Sequence, residues 1–284
     1  MISNPIQFLL FSYGASEFPL AFPLVFLYNP RVMRPAFVRG VSIHPENNTS
    51  SPLRVYGPES IRKTPTGYEF IVTLNGRDVA LPFINVGSDT PVWIAYAHVR
   101  ENTALARHAR PAMVARVLEE IRQNPDIHFA VGPQSAKSQK FVRNVVKDAS
   151  RTLRKEIPFI QLVGGEDRAS IVRKASPGLV TECISVLSAA KNIVKYIGIT
   201  EEDRKRIERV GGKAIWIDDV ANTEATHKKS LWLINRALGL PPETLHPSYV
   251  IFLESVYGQG YPKQFPGIHA LGHLPEFIGK NPKD

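Results

Sequence analysis

The sequence predicts an α/β protein with a mostly parallel sheet flanked by helices. Three observations predict it. Short runs rich in β-branched and aromatic residues, such as Phe159 to Val163 and Ala214 to Ile217, alternate with segments of helical periodicity. Those helical segments are bounded by capping and breaking residues, Asn102 or Thr103 before one and Asn124-Pro125 after it. The 284 residues are 43% apolar and 21% charged, the balance of a chain with a sizeable core and not of a disordered, collagenous or coiled-coil one. In a parallel sheet covered on both faces, ligands bind at the carboxyl ends of the strands.

The elements follow in order. Residues 1–66 read as an apolar extension and an irregular arm. Ile6 to Tyr28 is rich in Phe and Leu, but Glu17 lies inside it, Pro19 and Pro23 interrupt it and no basic segment precedes it. A membrane span or signal peptide therefore fits poorly, and the expectation is an extension packed on the domain or a segment upstream of a later natural start such as Met33. Gly40 to Pro65 carries Pro, Asn, Ser and Gly in clusters, as an arm does. From residue 67 the main domain is expected to run to 284. Tyr68 to Leu74 alternates, Asn75-Gly76 is a hairpin turn signal, and Val79 to Val86 and Val92 to Val99 read as further strands. A helix carrying Leu105, Met113, Val117, Leu118 and Ile121 comes next, then the strand His128 to Val131 and a helix with Phe141, Val142, Val145 and Val146 on one side. Phe159 to Val163 is a strand ending in a polar turn at Gly164-Gly165-Glu166-Asp167, after which no pattern is assigned up to Tyr196. Glu201 to Val210 is a charged helix broken by Gly211-Gly212. The strand Ala214 to Ile217 ends at Asp218-Asp219, a helix runs from about Glu224 to Leu238, Tyr249 to Leu253 is a strand, and a Gly/Pro-rich tail closes the chain.

Thirty-five Lys and Arg against 26 Asp and Glu leave a net charge of +9, which favours an anionic partner. The single cysteine, Cys183, excludes an internal disulfide, a zinc ribbon and a dithiol redox pair. Gly258-Gln-Gly260 lacks the helix and third Gly of a dinucleotide site, and His269 and His273 have i, i+4 spacing in a segment crowded with Gly and Pro, so neither a Rossmann cofactor nor zinc is expected. Arg204-Lys205-Arg206 with Arg209 reads as a solvated stripe, and no nucleic-acid-binding module is recognised.

The most informative stretch is Lys213 to Thr226. A hydrophobic strand delivers Asp218 and Asp219 to its carboxyl edge, and a loop with Asn222 and Thr223 enters a helix whose first-turn N–H groups lack partners. A phosphate can accept from those amides and from the hydroxyls of Thr223 and Thr226. The two acids can accept from sugar hydroxyls or help hold a hydrated Mg²⁺.

Strand, paired acids and threonine-bearing turn resemble the signature of the type I phosphoribosyltransferases, and the order of elements from Gly67 to about residue 278 is similar to that of the adenine and hypoxanthine enzymes. The resemblance implies a purine phosphoribosyltransferase that moves ribose 5-phosphate from phosphoribosyl pyrophosphate to a heterocyclic base and releases pyrophosphate, with Mg²⁺ as cofactor. It also implies purine salvage in the cytoplasm, a homodimer, and neither nucleic acid nor membrane as partner. Asp218 and Asp219 would contact the ribose hydroxyls and serve as catalytic and metal-binding acids. Asn222, Thr223, Glu224, Ala225 and Thr226 would wrap the 5′-phosphate. Gln134, Ser135, Ala136, Lys137 and Ser138 would form the pyrophosphate loop. A small hood from 67–100, with 256–278 as a further contributor, would cover the base, and Tyr257, Tyr261, Phe265 and Phe277 are its candidate stacking partners.

The chain departs from the family pattern at three places. Glu224 stands where the family almost always has Gly, adding a carboxylate near the expected phosphate. Gln134 replaces a common Glu, and Gly164-Gly165-Glu166-Asp167 occupies the place of a basic pair, leaving Lys137, Arg168, Arg173 and Lys174 as candidate cations. Two rival readings follow: a non-catalytic relative that binds the sugar pyrophosphate or a nucleotide as a sensor, and an unrelated Asp-dependent phosphatase.

Overall fold

The computed structural model describes residues 53–279 apart from 88–89, 134–136, 168, 172–179, 189–192, 223 and 259, and also 281 and 283. The apolar stretch at 6–28 therefore lies outside the described residues.

Six strands and a turn of helix precede the first long helix or follow it directly. They are β1 (Arg54–Val55), β2 (Ile61–Thr64), β3 (Gly67–Leu74), β4 (Arg77–Asn85), β5 (Val92–Ala95) and β6 (Ile127–Gly132), with α1 (Thr103–Gln123) between the last two. The chain continues through α2 (Gln139–Leu153), β7 (Phe159–Gln161), β8 (Val163–Gly165), β9 (Val180–Ser188), β10 (Ile193–Thr200) and α3 (Glu201–Val210). It ends with β11 (Lys213–Ala221), α4 (Glu224–Leu238), β12 (Ser248–Val256) and β13 (Ile268–Ile278).

Nine of these strands lie in the order β2-β3-β4-β5-β13-β12-β11-β6-β7, and β1 adds to β13 to make a ten-stranded sheet. Its β13-β12-β11-β6-β7 half is parallel, and β5 to β2 continue it antiparallel. The β3–β4 hairpin closes through Asn75 and Gly76 at φ 50° and 72°, the left-handed pair that a two-residue turn of matching twist requires. Phe70, Val72 and Leu74 on β3 and Val79, Leu81 and Phe83 on β4 point to the core at every second position.

Helices cover both faces. On one, α1 and α2 bury Leu105, Met113, Val117, Phe141, Val142 and Val145 against the sheet. The Asn102 side chain caps α1 by accepting from the Leu105 N–H at 2.9 Å. On the other, Ile207 of α3 and Leu231 and Ile234 of α4 pack on Phe129, Val131, Trp216 and Val250.

Several expectations are corrected. The strand expected over Val92 to Val99 stops at Ala95, because the His98 N–H bonds back to the Tyr96 carbonyl and the chain turns into the α1 cap. The polar turn expected at 164–167 is instead strand through Gly165, which pairs with β10, and only Glu166 and Asp167 bend. A Cβ on Gly165 would lie 1.9 Å from Ser170 Oγ, so glycine serves close approach there and not a turn. The unassigned stretch holds the β9–β10 hairpin, which with β8 makes a separate three-stranded antiparallel sheet. Residues 268–278, expected within a Gly/Pro-rich tail that contributes to the hood, form the long strand β13 between β5 and β12. β11 does not end at Asp218-Asp219 but runs to Ala221, since β12 continues to Val256 beside it and pairs Asp218 with Val250 and Val220 with Phe252.

Candidate functional site

The paired acids are the sixth and seventh of the nine residues of β11, the strand between β12 and β6, towards the carboxyl end of the parallel half. Asp218 is buried and Asp219 partly so. The Asp219 N–H donates to Asp218 Oδ1 at 2.8 Å, and the Val220 N–H donates to Asp219 Oδ1 at 2.9 Å. Burial raises the Asp218 carboxyl well above the usual carboxylate range, and the adjacent Asp219 carboxyl raises it further. Burial also raises Asp219, opposed by its hydrogen bonds to Asp218 and the Val220 N–H and by the nearby His98 ring. Crowded carboxyls of this kind favour ligand groups that donate hydrogen bonds or carry positive charge, because either relieves the burial and mutual repulsion that raise them.

Ser138 sits at the entrance to α2, after the carboxyl end of β6. It makes no capping bond; its fully buried hydroxyl lies beside the Asp218 carboxyl, favouring the ionised form, without a well-formed hydrogen bond of its own. Lys137 is exposed, with Nζ 3.4 Å from the Tyr96 hydroxyl and 5.4 Å from the centre of that ring. Gln134, Ser135, Ala136 and Thr223 lie outside the described residues, as do Arg168, Arg173 and Lys174.

On the far side of β11, Asn222, Glu224, Ala225 and Thr226 are half-buried where the chain enters α4. The Glu224 carboxylate pairs along the helix with Lys228 at i, i+4. Its charge is thus partly compensated at the helix end that would otherwise attract a phosphate. The Ala225 methyl packs beside Ile197 and Leu233, joining the start of α4 to the small sheet.

Sequence reasoning did not single out three further groups at this end of the sheet. Glu254, on β12, is buried and pushed up to about 8, first by burial and then by the Glu276 and Asp219 carboxyls. Glu276, on β13, is raised by burial. His98 is buried, accepts the Glu101 N–H at Nδ1 and tilts against Tyr96 at 5.3 Å between ring centres. Of the four aromatic residues expected to stack on a base, Phe265 and Phe277 are buried in the core. The Tyr261 hydroxyl donates to the Tyr56 carbonyl at 2.6 Å, and Tyr257 is the most exposed of the four at 44%.

Among the described residues no three His, Cys, Asp or Glu side chains are placed to hold a metal ion together. The donor set of Asp218 and Asp219 therefore does not fit an all-protein cage. It does fit a hard cation held mainly by water and substrate oxygens, for which one or two carboxylates suffice.

No protein-family model matches the chain, and no curated protein matches it. Among solved structures it is similar to adenine phosphoribosyltransferase from Saccharomyces cerevisiae, complexed with an imino-altritol bisphosphate and adenine, at 16% identity and a TM-score of 0.41 over 61% of this chain and 82% of that one. It is also similar to the Giardia lamblia enzyme complexed with 9-deazaadenine, at 14% identity and a TM-score of 0.44 over 68% and 93%. The Trypanosoma brucei enzyme in complex with AMP, pyrophosphate and ribose-5-phosphate is similar at 13% identity and a TM-score of 0.37 over 62% and 67%.

Proposed function

We propose that the chain is a phosphoribosyltransferase that transfers ribose 5-phosphate from phosphoribosyl pyrophosphate to a purine or related heterocycle. The observation that carries this reading is the Asp218-Asp219 pair at the carboxyl end of a central parallel strand, directly before α4 and beside the buried Ser138 hydroxyl. In this role the two carboxyls accept from the ribose hydroxyls and fix the sugar. The amides and hydroxyls of 222–226 hold the 5′-phosphate, and 134–138 hold the pyrophosphate. Bound Mg²⁺, held by Asp218 and Asp219 with substrate oxygens, would neutralise charge on the departing pyrophosphate. The chain's own task is to align base and anomeric carbon and to exclude water, so no protein nucleophile is required. The reading carries with it a homodimer and a place in purine salvage in the cytoplasm. Among the described residues no helix is long and apolar enough to cross a membrane.

The test is release of pyrophosphate and formation of a nucleotide when the purified chain meets Mg²⁺, phosphoribosyl pyrophosphate and a panel of purine and pyrimidine bases. Glu224 at the head of α4 favours a second reading, a sensor that binds the same ligand without turnover. Thermal stabilisation by the sugar pyrophosphate with no pyrophosphate release from any base selects the sensor. Neither stabilisation nor release removes both.

A further inference from the structure

A groove of about 710 Å³ runs between α1 and α2 on the outer side of the helical layer, away from the carboxyl ends of the strands. Its floor is Pro111, Val114, Ala115 and Leu118 of α1. Pro111 and Ala115 are exposed, while Val114 and Leu118 reach the groove from the core packing, so α1 carries apolar residues beyond its core face. A helix that only covers a sheet carries polar side chains there. Three arginines line the groove, Arg107 and Arg110 on α1 and Arg151 on α2, against one acid, Asp148. Asp148 is already engaged twice: by Arg110, with Nε at 2.7 Å, and by Arg151, at 3.8 Å. The groove therefore keeps a net positive charge, and Arg107 and Arg151 stand exposed, one on each helix.

We propose that this groove docks an acidic amphipathic helix of a partner protein, its apolar side chains on the Pro111 to Leu118 floor and its carboxylates on Arg107 and Arg151. An apolar floor rimmed by charged side chains from two helices is what helix-in-groove recognition uses. Guanidinium groups on the rim suit carboxylates, which they grip through two N–H donors. A nucleic acid would meet an apolar floor where its phosphates need donors. A second copy of the chain, placed symmetrically, would bring the same positive rims face to face.

The test uses the full chain and a fluorescein-labelled helical peptide of about four turns, with Leu at helical spacing on one face and Glu elsewhere, and its sister with Lys for Glu. The Glu peptide is expected to bind and the Lys peptide not. The double change Arg107→Glu with Arg151→Glu, and separately Ala115→Trp, should each weaken binding about tenfold or more. Arg209→Glu on α3 should leave it within about twofold, and thermal melting should show all variants folded. Equal binding of both peptides, or wild-type affinity in the folded groove variants, overturns the proposal. So does tighter binding of an oligothymidylate or of phosphatidylserine vesicles lost in the same variants, or a wild-type dimer that Ala115→Trp dissociates.

Discussion

The unit formed by β11 and α4 carries a buried polar cluster at each end, and the two are built on opposite principles. Where β11 begins and α4 finishes, His246 Nδ1 accepts the Ala214 N–H at 3.1 Å and its Nε2–H donates to Asn235 Oδ1 at 2.6 Å. The Asn235 amide in turn donates to the Pro242 and Thr244 carbonyls at 3.0 and 2.9 Å. Every polar group in that chain has its partner. Where β11 finishes and α4 begins, Asp218, Asp219, Glu254 and Glu276 are crowded with raised pKa, and Ser138 lacks a well-formed bond. A satisfied buried network fixes architecture, whereas an unsatisfied one stores free energy that a ligand can release.

The sharpest way to break this contrast is to neutralise the acids. Changing Asp218 and Asp219 together to Asn should lower turnover or sugar pyrophosphate binding by about a hundredfold or more, while stability at pH 7 stays level or rises, because two crowded carboxyls are removed. Unfolding of that variant in a denaturant titration would show the acid end to be architecture after all. At the other end, Asn235→Ala should cost about 2–4 kcal/mol in the same titration, since it strands His246 Nε2–H and two carbonyls, with ligand response per folded molecule unchanged.

The two ends also differ in the sign of their pH dependence. At the end where α4 finishes, His246 is held down at about 4 by burial, against 6.5 when unfolded. The unfolded chain therefore takes up protons first as pH drops, and stability falls from about pH 6.5 towards 4, on the order of 2 kcal/mol at pH 5. Glu254 behaves oppositely. Its raised pKa stabilises the fold fully below about 4.5, and that contribution fades as pH rises through about 8. Glu254→Gln should accordingly flatten the alkaline limb of a stability profile, and His246→Gln the acid limb; the reverse assignment would invalidate the contrast. The smallest effect is expected at Glu224. Because Lys228 already offsets its charge, Glu224→Gln should change sugar pyrophosphate affinity by less than about threefold in calorimetry.

Much of this architecture was readable because its signals are local. Asn75-Gly76 named a hairpin, and Glu201 to Val210 and Glu224 to Leu238 gave helices with the observed ends. What escaped depends on contacts distant in sequence. Gly272 and Pro275 disguise β13 as loop, yet a Cβ at 272 would come within 3.0 Å of the Tyr56 ring, so the glycine answers to a neighbour more than two hundred residues away. His98 and Glu254 approach Asp219 from the β5–α1 connection and β12, Glu276 approaches Glu254 from β13, and no spacing rule links them. The β9–β10 hairpin has no Asn-Gly or Asp-Gly pair between its strands.

The central position of β13 also constrains how the molecule comes together during synthesis. β5 and β12 each present a bare edge until residues 268–278 leave the ribosome, because only that strand joins the antiparallel half to the parallel one. A nascent chain is thus left with two open strand edges that invite pairing with other chains, and it can close this sheet only once β13 has emerged, through contacts far apart in sequence.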